Sequence, residues 1–205
     1  MASGEVPDIV VGRLPIYLRA LSHMAAAGQE ITSSHELGKN LGISSAQIRK
    51  DLSHFGEFGK QGTGYRISHL QEQIKRILKV EREWDVALVG VGDLGHAVAR
   101  YAGFKNRGFH ITLLFDNDPA KIGARVGDLE IIDAALLKET LMAKEVKVVM
   151  IAVPASAAQQ VADTCAEAGV KAILNYAPIS LKVPDGVKVQ HLDPVAYLQR
   201  MTYYL

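Results

Sequence analysis

The stretch VGVGDLG, residues 89–95, constrains this chain more than any other. An apolar run, DVALV, leads into it and an amphipathic run, HAVARYAGF, leaves it. Gly90, Gly92 and Gly95 therefore sit in G-x-G-x-x-G spacing at a strand-to-helix turn. The three glycines serve different physical ends. Gly90 permits the tight turn, Gly92 lets backbone amides approach a ligand, and Gly95 brings helix and strand together. A second apolar run, HITLLFDND, ends in Asp116, 21 residues after Gly95. LEII, KVVMIAV, KAILNYA and VKVQHL then alternate with helical patterns, which predicts an α/β fold with a doubly wound parallel sheet.

Such sheets bind ligands at the carboxyl ends of their strands, with a pyrophosphate over the helix N-terminus. The candidate cofactor residues are accordingly Gly90, Val91, Gly92, Asp93, Leu94 and Gly95 in the turn, with Asp116 and Asn117 after the second strand. Val153, Pro154, Ala155, Asn175, Tyr176 and Pro178 follow later strands. A carboxylate at Asp116 accepts hydrogen bonds from an adenosine ribose and repels a 2′-phosphate, which favours NAD(H) over NADP(H). Asp93 adds negative charge beside a phosphate site, and is expected to point outward.

The first eighty residues have a different character. They carry 10 Lys/Arg against 7 Asp/Glu and four of the seven histidines, and the remaining residues carry 13 against 15. In ITSSHELGKNLGISSAQIRKDLSHFG, Ser33 with Glu36 and Ser44 with Gln47 each fit a capping box, and Gly42 lies between them. Two short helices joined by a glycine turn make a helix-turn-helix. At 100° per residue the second helix turns Ile48, Leu52 and Phe55 toward a core, and Ala46, Arg49, Lys50, Ser53 and His54 away from it. A basic, hydrogen-bonding face of that kind suits DNA phosphates and base edges. FGEFGKQGTGYRISHL reads as a glycine-tipped hairpin, a wing that would lay Lys60 and Gln61 along the duplex. Leu14, Leu18, Leu21 and Ala25 form the inner stripe of a first helix that Pro15 must start or kink. Ser68 and Gln71 cap a fourth helix whose inner face is Leu70, Ile74, Ile77 and Leu78. The expected domains are 1–80, a winged-helix DNA-binding domain, and 81–192, the dinucleotide domain.

Composition excludes several classes. No apolar run approaches a membrane span, and the N-terminus lacks the layout of a secretory signal, so a cytoplasmic protein is expected. The single cysteine, Cys165, leaves no internal disulfide and no cysteine-based zinc site, and no metal is expected. Catalytic residues are not expected either. Tyr101 and Lys105 match a tyrosine-x3-lysine spacing but directly follow the first helix of the sheet domain, the wrong position for that chemistry; His96, next to Gly95 on that helix, reads as packing or solvent-facing, and Cys165 has no activating base.

Taken in order, RLPIYLR, SSAQIRKDLSHFG, GKQGTGY, VGVGDLG, FDNDPAKIG and LNYAP resemble the Rex family, bacterial redox-sensing transcriptional repressors. The resemblance covers essentially the whole chain. It implies a homodimer that binds palindromic double-stranded operator DNA when NAD+ prevails and releases it when NADH binds. It extends the DNA-binding candidates to Arg13, Ser44, Ser45, Ala46, Gln47, Arg49, Lys50, Ser53, His54, Lys60, Gln61 and Tyr65. Gln61 and His54 depart from the basic residue and the tyrosine usual there. It also implies that the terminal segment 193–205, with Val195, Tyr197, Leu198 and Met201, is a helix exchanged between subunits. Arg19 and Asp193 would then form an inter-subunit ion pair in one state, with Tyr101 competing for Asp193 in the other. Other readings are an NAD-dependent oxidoreductase, a DNA-binding sensor of another adenine nucleotide such as a coenzyme A derivative, and a constitutive DNA-binding protein.

Overall fold

The computed structural model describes residues 6–59 and 63–205. The chain divides into two units, Met1–Arg82 and Glu83–Leu205.

The first unit is a cluster of helices. α1 (Asp8–Ala26) is followed by β1 (Ile31–Thr32), α2 (Ser34–Leu41), α3 (Ser45–Ser53), β2 (Tyr65–Arg66) and α4 (Ile67–Ile77). Its core is Leu14, Tyr17, Leu21, Leu37, Ile48, Leu52, Ile67, Leu70 and Ile74. The buried stripe of α1 runs Val10, Leu14, Tyr17, Leu21 and Met24, so Met24 takes the place expected of Ala25, which is exposed. Pro15 lies within α1, which begins a full two turns earlier than a proline start requires. Gly42, at φ 68°, closes α2 in the left-handed region that glycine adopts without strain.

Two local expectations are corrected. The strand Tyr65–Arg66 does not pair with the Phe58 segment but runs antiparallel to β1, with Ile31 opposite Arg66 and Thr32 opposite Tyr65. The ends of the intervening loop nevertheless approach, since a Cβ on Gly59 would lie 2.6 Å from the Gly64 carbonyl oxygen and 2.8 Å from the Tyr65 ring. Ser68 does not cap α4, which starts one residue earlier at Ile67 with Arg66 as its N-cap residue. Strand pairing sets that start, because Arg66 is still held in β2. Gln71 instead donates to the Ser22 hydroxyl across to α1, at 3.0 Å.

The second unit is a seven-stranded sheet. Its strands are β3 (Trp84–Val89), β4 (Phe109–Asp116), β5 (Arg125–Val126), β6 (Leu129–Asp133), β7 (Val148–Ile151), β8 (Ala172–Asn175) and β9 (Lys188–His191), in the order β5-β6-β4-β3-β7-β8-β9. All neighbours are parallel except β5, a short antiparallel strand with no counterpart in the sequence pattern. α5 (Asp93–Arg100), α6 (Leu137–Ala143) and α7 (Ala155–Glu167) cover the sheet. Residues of β3 alternate between two cores: Val86 and Leu88 pack with Val98, Leu114 and Met150, whereas Ala87 and Val89 pack with Phe115, Leu141, Ala162 and Cys165. A central strand buried on both faces explains its unbroken apolar run. Burial also pushes the Cys165 thiol up to about 12, which makes it inert packing. The chain ends in α8 (Pro194–Thr202), none of whose residues is buried.

Candidate functional site

In the first unit the second helix of the helix-turn-helix is positioned by a polar network rather than by apolar contacts alone. Ser33 caps α2 and Ser44 caps α3, each accepting from the amide three residues on at 3.1 Å. The reciprocal half of each capping box is diverted. The Glu36 carboxylate accepts from Gln29 at 2.8 Å and from Thr32 at 3.0 Å. Gln47 reaches forward to Asp51 at 2.7 Å. Asp51 is fully buried and also accepts from Arg13 Nε at 2.5 Å, Arg13 Nη2 at 2.7 Å and the Tyr17 hydroxyl at 2.6 Å. Burial by itself would raise its pKa, but the bonds from Arg13, Tyr17 and Gln47 outweigh burial and hold it below the usual carboxylate value.

This network sorts the sequence-derived DNA candidates. Arg13 and Gln47 donate to Asp51 and Tyr65 packs against the core, all three remaining partly exposed. Ala46, Arg49, Lys50, Ser53 and His54 are exposed, as are Ser44 and, in part, Ser45. Arg49 donates to the Ser34 hydroxyl at 3.1 Å, and Ser53 to the Lys50 carbonyl at 2.8 Å. Lys60 and Gln61 lie outside the described residues. Asp51 and Tyr17 escaped the sequence reading, although a carboxylate between Ile48 and Leu52 on an inward stripe signals a buried partner.

In the second unit a cavity of about 880 Å³ opens at the carboxyl ends of β3, β4 and β7. Strand order reverses between β3 and β7, and open sheets of this kind place ligands at such a reversal. Gly90 has φ 96°, and a Cβ there would lie 2.5 Å from the Ala152 carbonyl oxygen. At Gly95 a Cβ would overlap the Gly90 carbonyl oxygen, whereas Gly92 faces open space. Gly92 is the N-cap of α5 and no side chain caps that helix. First-turn amides without a side-chain partner, beneath a glycine with room above it, fit a pyrophosphate.

The cavity brings together Gly90, Gly92, Asp93, Leu94, Asp116, Asn117, Val153 and Pro154. Val91 and Gly95 are buried in the turn beneath it. Ala155, Asn175, Tyr176 and Pro178 stand outside its walls. Asn175 is instead a turn-builder, accepting from Ala177 N at 3.0 Å and donating to the carbonyls of Ala177 and Ile179 at 3.0 and 2.9 Å. Asp116 accepts from Val91 N at 2.7 Å, Asp118 N at 2.9 Å and Lys121 Nζ at 3.3 Å. Burial opposes its ionisation, but the two amides and Lys121 prevail and its pKa is lowered. Asp118 and Lys121 line the same cavity and were missed, because their place in its wall is set by the fold and nothing in the sequence separates them from other surface charges.

Asp193 caps α8, accepting from Val195 N at 2.9 Å with Pro194 at the first helical position. Val195, Leu198 and Met201 are 57%, 61% and 62% exposed, an apolar stripe left open among the described residues. Tyr101 packs edge-on against Phe104 at 5.2 Å between ring centroids. Arg19 is exposed on α1.

Comparison with known proteins places both units. A family model described as "Putative DNA-binding protein N-terminus" matches residues 5–53, and one described as "CoA binding domain" matches residues 81–179. The "Redox-sensing transcriptional repressor Rex" of Chloroflexus aggregans (strain MD-66 / DSM 9485) is 55% identical over 99% of this chain and 96% of its own length. The chain belongs to the Rex family. The Rex of Roseiflexus sp. (strain RS-1) is 50% identical over 98% of the chain and 91% of its own length. Among solved structures, RSP in complex with β-NAD+ and operator DNA superposes with TM-score 0.93 at 33% identity, covering 98% of this chain and 93% of that one. RSP in complex with β-NADH gives TM-score 0.89 at 31% identity, covering 98% and 94%. The winged-helix and doubly wound sheet architecture of this Rex chain is thus shared along its whole length. Among the described residues no helix is long and apolar enough to cross a membrane.

Proposed function

We infer that this chain is a redox-sensing transcriptional repressor: a homodimer that holds palindromic operator DNA through α3 and its neighbouring loop, and lets go when NADH fills the cavity over Gly92. It acts as a regulator in the cytoplasm, not as an enzyme. The observation that carries this is the presence, in one chain similar to Rex throughout, of a helix-turn-helix with an outward Ala46, Arg49, Lys50, Ser53 and His54 face and a sheet unit with an open, uncapped glycine turn. The expected reader residues are those five with Ser44, Ser45, Lys60 and Gln61; Arg13, Gln47 and Tyr65 support them from inside.

Dimerisation falls to α8, since a helix exposing Val195, Leu198 and Met201 costs free energy until a second copy covers it. In that dimer Arg19 would pair with Asp193, and Tyr101 would replace it when NADH binds. A gel-shift titration with a palindromic operator at fixed salt and varied NADH/NAD+ ratio tests the whole reading. Operator release must follow NADH, and NAD+ must not cause it. The description of the second unit's family model keeps a coenzyme A derivative as the competing ligand. Release driven by coenzyme A and not by NADH would decide for it.

A further inference from the structure

A carboxamide has a donor end and an acceptor end, and its surroundings decide which end faces out. Gln47 is the third residue of α3, in the first turn of the helix proposed to read DNA, and it is partly exposed. Its Nε2 donates to Asp51 Oδ1 at 2.7 Å. Asp51 is fully buried and, with its pKa held below the usual carboxylate value, ionised at neutral pH. An ionised carboxylate only accepts. Arg13 Nη2 meets the same oxygen at 2.7 Å, and Arg13 Nε and the Tyr17 hydroxyl meet the other. Turning the Gln47 amide over would set Oε1 against Oδ1, two acceptors with no proton between them. The amide is therefore held with its nitrogen inward. Oε1 has no partner among the described residues, and the one buried side-chain polar atom without a partner among them is His110 Nε2. Oε1 is thus open to solvent. Gln47 supports α3 from inside through Nε2 and leaves its other end unspent.

We propose that Gln47 determines sequence specificity: its outward Oε1 accepts from an exocyclic amino group in the major groove, adenine N6 or cytosine N4, and Asp51 is the positioning residue that keeps that end outward. This rests on α3 being the helix that enters DNA. The first residues of such a helix come nearest the base edges. The neighbouring Arg49 and Lys50 present donors alone, which match guanine O6 and N7 or phosphate. A fixed acceptor beside them supplies the other half of the major-groove code, because adenine and cytosine show an amino donor where guanine and thymine show a carbonyl. Guanine or thymine opposite Oε1 would bring two acceptors together.

The test uses a palindromic operator selected by the full-length protein from random duplexes, with each half-site position changed in turn and affinity measured at fixed salt with NAD+ present. At one position wild type should prefer adenine or cytosine over guanine or thymine roughly tenfold per half-site. Gln47→Met, similar in shape but without polar ends, should lose that preference there and keep the others. Purine in place of adenine, or 2-pyrimidinone in place of cytosine, removes the amino group and shows which base is read. That removal should weaken wild type roughly tenfold and Gln47→Met by less than about twofold. In Asp51→Ala, confirmed folded by circular dichroism, the preference should fall at the same position alone. A preference untouched by Gln47→Met, or one for guanine or thymine, overturns the assignment and leaves the role of α3 standing. A preference intact in Asp51→Ala, or a loss at every position alike, overturns the part given to Asp51. If Asp51→Ala does not fold, Gln47→Met and the amino-free bases decide. A wild-type chain that binds no duplex overturns the DNA reading of α3 and this assignment with it.

Discussion

Arg13 and Asp51 clasp each other across 38 residues of sequence, with both Nε and Nη2 of the guanidinium on the carboxylate at 2.5 and 2.7 Å. The pair ties α1 to α3, so the helix proposed to read DNA is aimed by an ion pair whose carboxylate is buried and whose guanidinium is partly exposed. Removing one partner strands the other. Asp51→Ala should cost about 3–5 kcal/mol, because it leaves Arg13 and the buried Tyr17 hydroxyl uncompensated. Arg13→Lys, which keeps charge but loses the fork, should cost less. Urea unfolding of the two variants checks both, and a value near zero for Asp51→Ala would contradict the account.

The same carboxylate makes stability depend on acid. The folded pKa of Asp51 lies below its ordinary 3.8, as does that of Asp116. A lowered folded pKa means the contribution is complete above about 3.8 and drains away as pH falls through the folded value. The unfolding free energy should stay nearly level from neutral pH to about 5 and drop below about 4. Asp51→Asn should start lower and fall less steeply over the same interval.

Two glycines six and three residues beyond Val89 should separate folding from binding. Gly95→Ala drives a methyl into the Gly90 carbonyl and should cost about 1–3 kcal/mol of stability. Gly92→Ala meets open space and should change stability by less than about 0.5 kcal/mol, yet weaken NADH roughly tenfold by obstructing the amides of the turn. Thermal unfolding with and without NADH distinguishes the two.

Lys50, exposed on α3, is expected to contact phosphate. Lys50→Ala should weaken operator and random DNA alike, and, with one Lys50 in each subunit of the proposed dimer, flatten the slope of log affinity against log salt by about 1.8. A loss confined to the operator would assign it to a base edge instead.

Asp193 both caps α8 and carries the charge proposed to meet Arg19. Asp193→Asn keeps the cap and removes the charge, since asparagine caps as well as aspartate. NADH affinity should stay within a few-fold while NADH loses its hold on operator release. If release stays fully NADH-dependent, that ion pair is not the switch.

Local rules carried much of the architecture. Ser33, Gly42 and Ser44 mark α2 and α3 because caps and left-handed turns are decided by a few neighbouring residues. The two-sided burial of β3 and the close approach of Gly95 to Gly90 were equally legible, because periodicity and glycine spacing reflect the βα turn itself. What the sequence could not announce were choices among long-range partners. Arg13 carries charge suited to a phosphate, and only the packing of α1 on α3 commits it to Asp51. Tyr65 reads as a strand residue of a hairpin, and only the fold shows that its strand partner is Thr32. Asp116 reads from the sequence as a carboxylate facing a ligand, and only the fold shows that the Val91 amide reaches it as well. In each case the side chain's chemistry was fixed by its type, but its partner was selected by which groups the fold desolvated together. A buried charge must satisfy itself with whatever donor the tertiary structure brings within reach.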